Sequence, residues 1–272
     1  MAQLPYLSLL ALLTLGGCPA VEPTTPPLPN PEAVLAITPE KQAENAVKVL
    51  TPSPLDLEKE VADAGIAGGL ADMVPKRAWA TDVDDKDRVA LRTGAVLSYT
   101  VLAGRTSAKP EFLAHLRSVR AGMHALGTGK GLLASIDGFI VAIENDTASR
   151  EDFLQELDAV ATTMVPEQGF GEGDRTGPLL QAGAWLAGTN LVAQAIVRSD
   201  RPEAADKLLR KAYVAEYFLT YVQTEGATKS GTTASALADA LQKLLVIANQ
   251  PTIGVAEARD VADATGILLG GL

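Results

Sequence analysis

The sequence predicts an all-α fold, a multi-helix bundle made of two tandem four-helix repeats with further helices at the N-terminus. Three observations carry that expectation. From residue 39 onward the apolar residues recur at intervals of three and four, the period of a helix with one buried face. The breaks between these runs fall on proline, glycine and capping residues, and no stretch alternates with the period of two that a half-buried strand requires. Finally, LRTGAVLSYTVL, Leu91 to Leu102, aligns without gaps on LQAGAWLAGTNL, Leu180 to Leu191, with Leu, Gly, Ala, Leu, Thr and Leu coinciding. Each segment is preceded by Asp-Arg, at 87-88 and 174-175, and followed by a basic residue and Pro-Glu, at 109-111 and 201-203. This colinearity predicts repeats at 86–165 and 177–270.

Taken in order, the chain opens on an uncharged apolar run from Leu7 to Leu15, closed by Gly16 and Gly17. That is the layout of an export signal, and it is too short to span a bilayer. The segment before it, Met1 to Pro5, has no Lys or Arg, so only the α-amino group supplies the positive end. Leu15-Gly16-Gly17-Cys18 resembles the bacterial lipobox. The resemblance implies a signal peptide over residues 1–17, cleavage before Cys18, and a diacylglycerol thioether on Cys18, the only cysteine in the chain. It also implies a lipoprotein of the cell envelope, held to a membrane through Cys18. Pro19 stands where an Asp would signal inner-membrane retention, which favours the outer membrane. Residues 18–38 are then the lipidated cysteine and a tether, whose proline-rich stretch at 19–32, at about 3.1 Å per residue, sets the domain on the order of 40 Å from the headgroups.

An all-α domain is expected over residues 39–272. Thr38-Pro39 opens a short helix, and Thr51-Pro52-Ser53-Pro54 closes it and opens a second, which Gly65, Gly68 and Gly69 weaken or break. The acidic run Asp82 to Asp87 suits the N-terminus of a helix over about 86–104. It is not an EF-hand loop, because Asp87 stands where that loop needs Gly and Thr93 where it needs Glu. Phe112, Leu116, Val119, Met123 and Leu126 form a bundle seam on the next helix, about 110–127. The turn Gly127 to Gly131 returns the chain antiparallel, with Leu132, Ile136, Phe139, Ile140 and Ile143 inward. Ser149 to Asp152 resembles a capping box and starts a helix carrying Phe153, Leu157, Val160 and Met164, and Gly169 to Asp174 follows as a hinge.

The run from Pro178 to Val197 has no charged residue, yet Gln181, Thr189, Asn190 and Gln194 mark it as a buried central helix rather than a membrane span. A single long helix is expected from about residue 200 to 225, then two more over about 233–249 and 253–269.

The chemistry this sequence offers is sparse. With 23 basic and 33 acidic residues the net charge is -10, so a nucleic-acid partner, which needs concentrated basic surface, is not expected. Once Cys18 is acylated no thiol remains for disulfides, thiolate metal sites or covalent haem. His115 and His124 lie on opposite sides of one helix and cannot share a metal. Gly122-Met123-His124 is similar to the Gly-x-His start of the motif in imelysin-like lipoproteins, but Gly127 stands where that motif has Glu, so no site is carried over. No catalytic residue, metal or cofactor is predicted. The candidate binding face is Tyr213, Tyr217 and Tyr221, spaced by four on the long helix, either wedged between layers or turned outward.

The expected function is a lipid-anchored binding or structural module that meets an envelope protein. One alternative is a carrier holding a small apolar ligand between the helical halves. Another is an envelope hydrolase in which a carboxylate converges with His115 or His124.

Overall fold

The start of the first helix is set by the side chains around it. The computed structural model describes residues 51–76, 85–159, 175–222 and 232–272, which all belong to one compact unit. The signal at 1–17, Cys18, the tether, the helix opened by Thr38-Pro39 and the hinge at 169–174 lie outside the described residues.

Ser53 Oγ accepts the Asp56 N–H at 3.0 Å while the Asp56 carboxylate accepts the Ser53 N–H at 3.1 Å, a reciprocal capping box. Pro54 follows at the first helical position, where a missing N–H costs nothing. The Asp158 carboxylate accepts the Leu55 N–H at 3.1 Å, so the first helix, α1 (Pro54–Asp63), is capped from two distant parts of the chain. It stops just before Gly65, Gly68 and Gly69, all at positive φ, as their low helix propensity predicts.

Nine more helices follow among the described residues: α2 (Lys86–Ala103), α3 (Lys109–Ala125), α4 (Lys130–Glu144), α5 (Arg150–Ala159), α6 (Thr176–Ser199), α7 (Pro202–Leu209), α8 (Ala212–Val222), α9 (Thr233–Ala248) and α10 (Val255–Gly271). These residues contain no strand, and the protein is an all-α multi-helix bundle.

The centre is the pair α2 and α6. Along α6 almost every residue is buried, and two of its polar side chains, Asn190 and Gln194, are bonded inside the bundle. Asn190 Nδ2 donates to the Ala262 carbonyl and the Thr265 hydroxyl, both at 2.8 Å, and Gln194 Nε2 donates to Asn190 Oδ1 at 2.6 Å. No described helix is long and apolar enough to cross a membrane.

Contacts climb α2 and α6 together, so the two run in the same direction. They begin at the Asp87–Arg175 fork, with bonds of 3.0 and 2.5 Å, continue where Gly94 meets Leu180 and Gly183 meets Leu91, and reach Gly188 beside Ser98. A Cβ on Gly94 would strike the Leu180 carbonyl, and a Cβ on Gly183 would strike the Leu91 carbonyl. Leu91 and Gly94 align with Leu180 and Gly183, so the close approach is reciprocal.

Outward from this pair, α3 packs on α2 and α4 on α3, while α10 packs on α6, α9 on α10 and α8 on α9. The strap α1 lies over α2 and α6. Salt bridges of 2.8 Å tie it to both sides, Arg105 to Glu58 and Lys211 to Glu60.

One expected element is different. The long helix over about 200–225 is broken at Arg210 (φ -77°, ψ 61°), where the Lys211 N–H bonds the Leu209 carbonyl at 2.8 Å in an inverse γ-turn. The cause is tertiary. The Arg210 guanidinium donates to the carbonyls of Ala248 at 3.1 Å and Gln250 at 2.8 Å, closing the C-terminus of α9, and pairs with Asp206. These charge-assisted bonds to a helix end outweigh the few tenths of a kcal/mol by which the local sequence favours continuing the helix.

Candidate functional site

The tyrosine stripe does not present a single face. On α8, Tyr213 is 46% exposed, whereas Tyr217 is 8% exposed with its ring centroid 5.0 Å from that of Phe218. The side chain of Tyr221 lies outside the described residues. Spacing by four drifts around a helix by about 40° per step, and α8 touches both α9 and α6, so one tyrosine of the stripe is enclosed while the other reaches solvent.

Inside the bundle, Leu57, Trp185, Thr189, Val192, Leu208 and Lys211 surround a void of about 10 Å³. That is room for about one water molecule and not for an apolar ligand. Trp185 Nε1 faces no hydrogen-bond partner among the described residues.

The two histidines also part. His115 is buried, its Nδ1 has no partner among the described residues, and burial holds its pKa below the ordinary imidazole value against the opposing pull of Glu111. It is therefore a neutral side chain at pH 7. His124 is exposed, and neither histidine lines any of the described grooves. The described residues hold no cluster of three or more His, Cys, Asp or Glu side chains that could bind a metal.

Besides a groove of about 410 Å³ lined by Gly68, Asp72, Arg198 and Arg201, open surface lies along α9 and α10. A groove of about 690 Å³ runs between them, and a second of about 370 Å³ continues it toward the start of α9, the two sharing Asp239, Lys243, Ala264 and Ile267. Ile267 is 75% exposed and Val246 44% exposed, two of the four large apolar side chains that the described surface shows to water. Ala236, Ala240 and Ala264 line it with short side chains, which allow another chain to approach closely.

The sequence reading missed this face although the pattern is present. Ala236, Asp239, Lys243 and Val246 on α9, with Gln250 just beyond its end, and Ala256, Asp260, Asp263, Ile267 and Gly270 on α10, recur at alternating intervals of three and four on the outer sides of their helices. A search for apolar seams passes over them, because small and charged residues outnumber the large apolar ones.

No protein-family model matches the chain, and neither does any curated protein or any solved structure.

Proposed function

We propose that the chain is a lipid-anchored binding or structural module of the cell envelope, acylated on Cys18 and held off the membrane, the outer one by preference, by the tether at 18–38. The observation that carries this reading is Leu15-Gly16-Gly17-Cys18, with the chain's single cysteine at the position a lipobox requires. The proline-rich stretch behind it supports the reading, since an anchored domain needs a spacer that does not pack. So does the α9/α10 groove, an exposed surface of the kind that meets a partner. In this reading the domain consists of two tandem helical repeats packed on each other through α2 and α6, the second with its long helix broken into α7 and α8, and its action is non-covalent association with an envelope protein.

The test is a substitution at the anchor. Cys18→Ser should abolish incorporation of a labelled fatty-acid analogue and move the protein out of the membrane fraction, read by gel fluorescence and fractionation. Labelling that persists in Cys18→Ser would remove the basis of the proposal.

A further inference from the structure

We infer that the α9/α10 groove is a docking site for a cationic amphipathic helix contributed by another protein. The inference rests on the reading of this domain as a binding module and names the kind of partner it takes. Two outward stripes at heptad-like intervals, with a trough between them, form the receiving half of a helix-in-groove interface. From Thr232 to Gln250 the trough follows the full length of α9. At 1.5 Å per residue this is on the order of 25 Å, enough for a helix of about four to five turns. Ile267 and Val246 supply the apolar anchors, and Ile267, the more exposed of the two, has the more surface to bury.

Charge selects the occupant. Asp239, Asp260 and Asp263 line the trough against Lys243 and, at its far end, Arg88, which is engaged by the Gly271 carbonyl, and none of the three carboxylates has an ion pair among the described residues. Some carboxylates elsewhere on the surface, at Asp87, Asp137, Glu151 and Asp206, are held by arginine, whereas these three face the groove with their charge uncompensated. A second copy of the chain would bring like charges together in an interface where such juxtaposition is costly, on a protein whose net charge is -10. An anionic lipid surface is repelled for the same reason. The tether region cannot supply the bases either, because residues 19–50 carry Lys41 and Lys48 against Glu22, Glu32, Glu40 and Glu44. A helix with leucine-like anchors on one face and lysines or arginines flanking them fits both the apolar centre and the acidic rim.

The test uses the full chain with Cys18→Ser, so that neither lipid nor detergent competes for the probe. The probe is a fluorescent 14-residue helical peptide, leucines on one face and lysines on the other. It is compared with a scrambled peptide of equal composition and with a version carrying glutamate for lysine. Binding is read by anisotropy at physiological salt. The amphipathic lysine peptide should bind at least about tenfold more tightly than either control, as expected when anchors and charge act together. Ile267→Asp should weaken it about tenfold despite adding a negative charge, and Asp260→Asn with Asp263→Asn should weaken it comparably. Val246→Asp serves as a second anchor variant should Ile267→Asp change the melting temperature. Equal binding of the scrambled peptide, preference for the glutamate peptide, insensitivity to the anchor variants, or self-association of the chain that is lost in Ile267→Asp would each overturn the inference. Fatty-acid labelling of Cys18 is read without the groove, so failure here is distinguishable from failure of the anchored-module reading.

Discussion

Tyr213 and Tyr217 are one helical turn apart on α8 and make opposite demands on a substitution. Tyr217 packs against Phe218 at 8% exposure, so Tyr217→Ala leaves a cavity that the bundle fills only in part. The expected cost is about 3 kcal/mol in chemical denaturation. Tyr213→Ala removes a side chain that is 46% exposed and should change stability by no more than about 0.5 kcal/mol. Equal losses in the two variants would contradict the burial difference. The sequence showed that three tyrosines share a spacing, but not which of them the bundle encloses. Enclosure depends on how α9 and α6 pack around α8, and that is set by residues distant in the chain. His115 illustrates the same limit: it lies three residues from Phe112 and one from Leu116, both seam positions, and the packing of α3 buries it and pushes its pKa down.

At the scale of the helix, glycine has two meanings here, and substitution by alanine separates them. Gly94 and Gly183 lie where α2 and α6 approach closely enough that a Cβ on either strikes a backbone carbonyl of the other helix. Gly94→Ala or Gly183→Ala forces the central pair apart, and each should cost at least about 1–3 kcal/mol, the range for overpacking a core. Gly138, within α4, has nothing within 4 Å of where its Cβ would be, so Gly138→Ala should instead stabilise by about 0.5–1 kcal/mol through helix propensity. Thermal melts of the three variants read the sign directly, and destabilisation by Gly138→Ala would contradict this account. Much at this scale was legible. The seam Phe112, Leu116, Val119, Met123 and Leu126 is buried throughout, and the charge-free run 178–197 forms the buried central helix α6. The break between α7 and α8 was not legible, because Arg210 and Lys211 are good helix formers whose bonds to α9 and α1 exist only once those elements are docked.

For the molecule as a whole, the pairing of α2 with α6 joins the N-terminal and C-terminal helices, and a single cooperative transition is expected from it. The most extensive helix contact in the bundle crosses from one half to the other, and α1 is tied by ion pairs to both. A fragment of residues 51–159 keeps α1 to α5 but leaves the glycine face of α2 without its partner. It should lack a cooperative thermal transition by far-UV circular dichroism, while the full chain shows one. A fragment that melts cooperatively would mean that the first half folds alone. The parallel direction of α2 and α6 also bears on how the protein is made. Asp87 and Arg175, which start the two helices side by side, are 88 residues apart in the chain. At a synthesis rate of about 5–20 residues per second, roughly 4–18 s separate the emergence of α2 from the emergence of the helix that covers it. A chain this rich in helix thus carries a defining long-range contact of the kind that slows folding, and the inner surface of α2 stays open to proteases and to self-association until α6 docks on it.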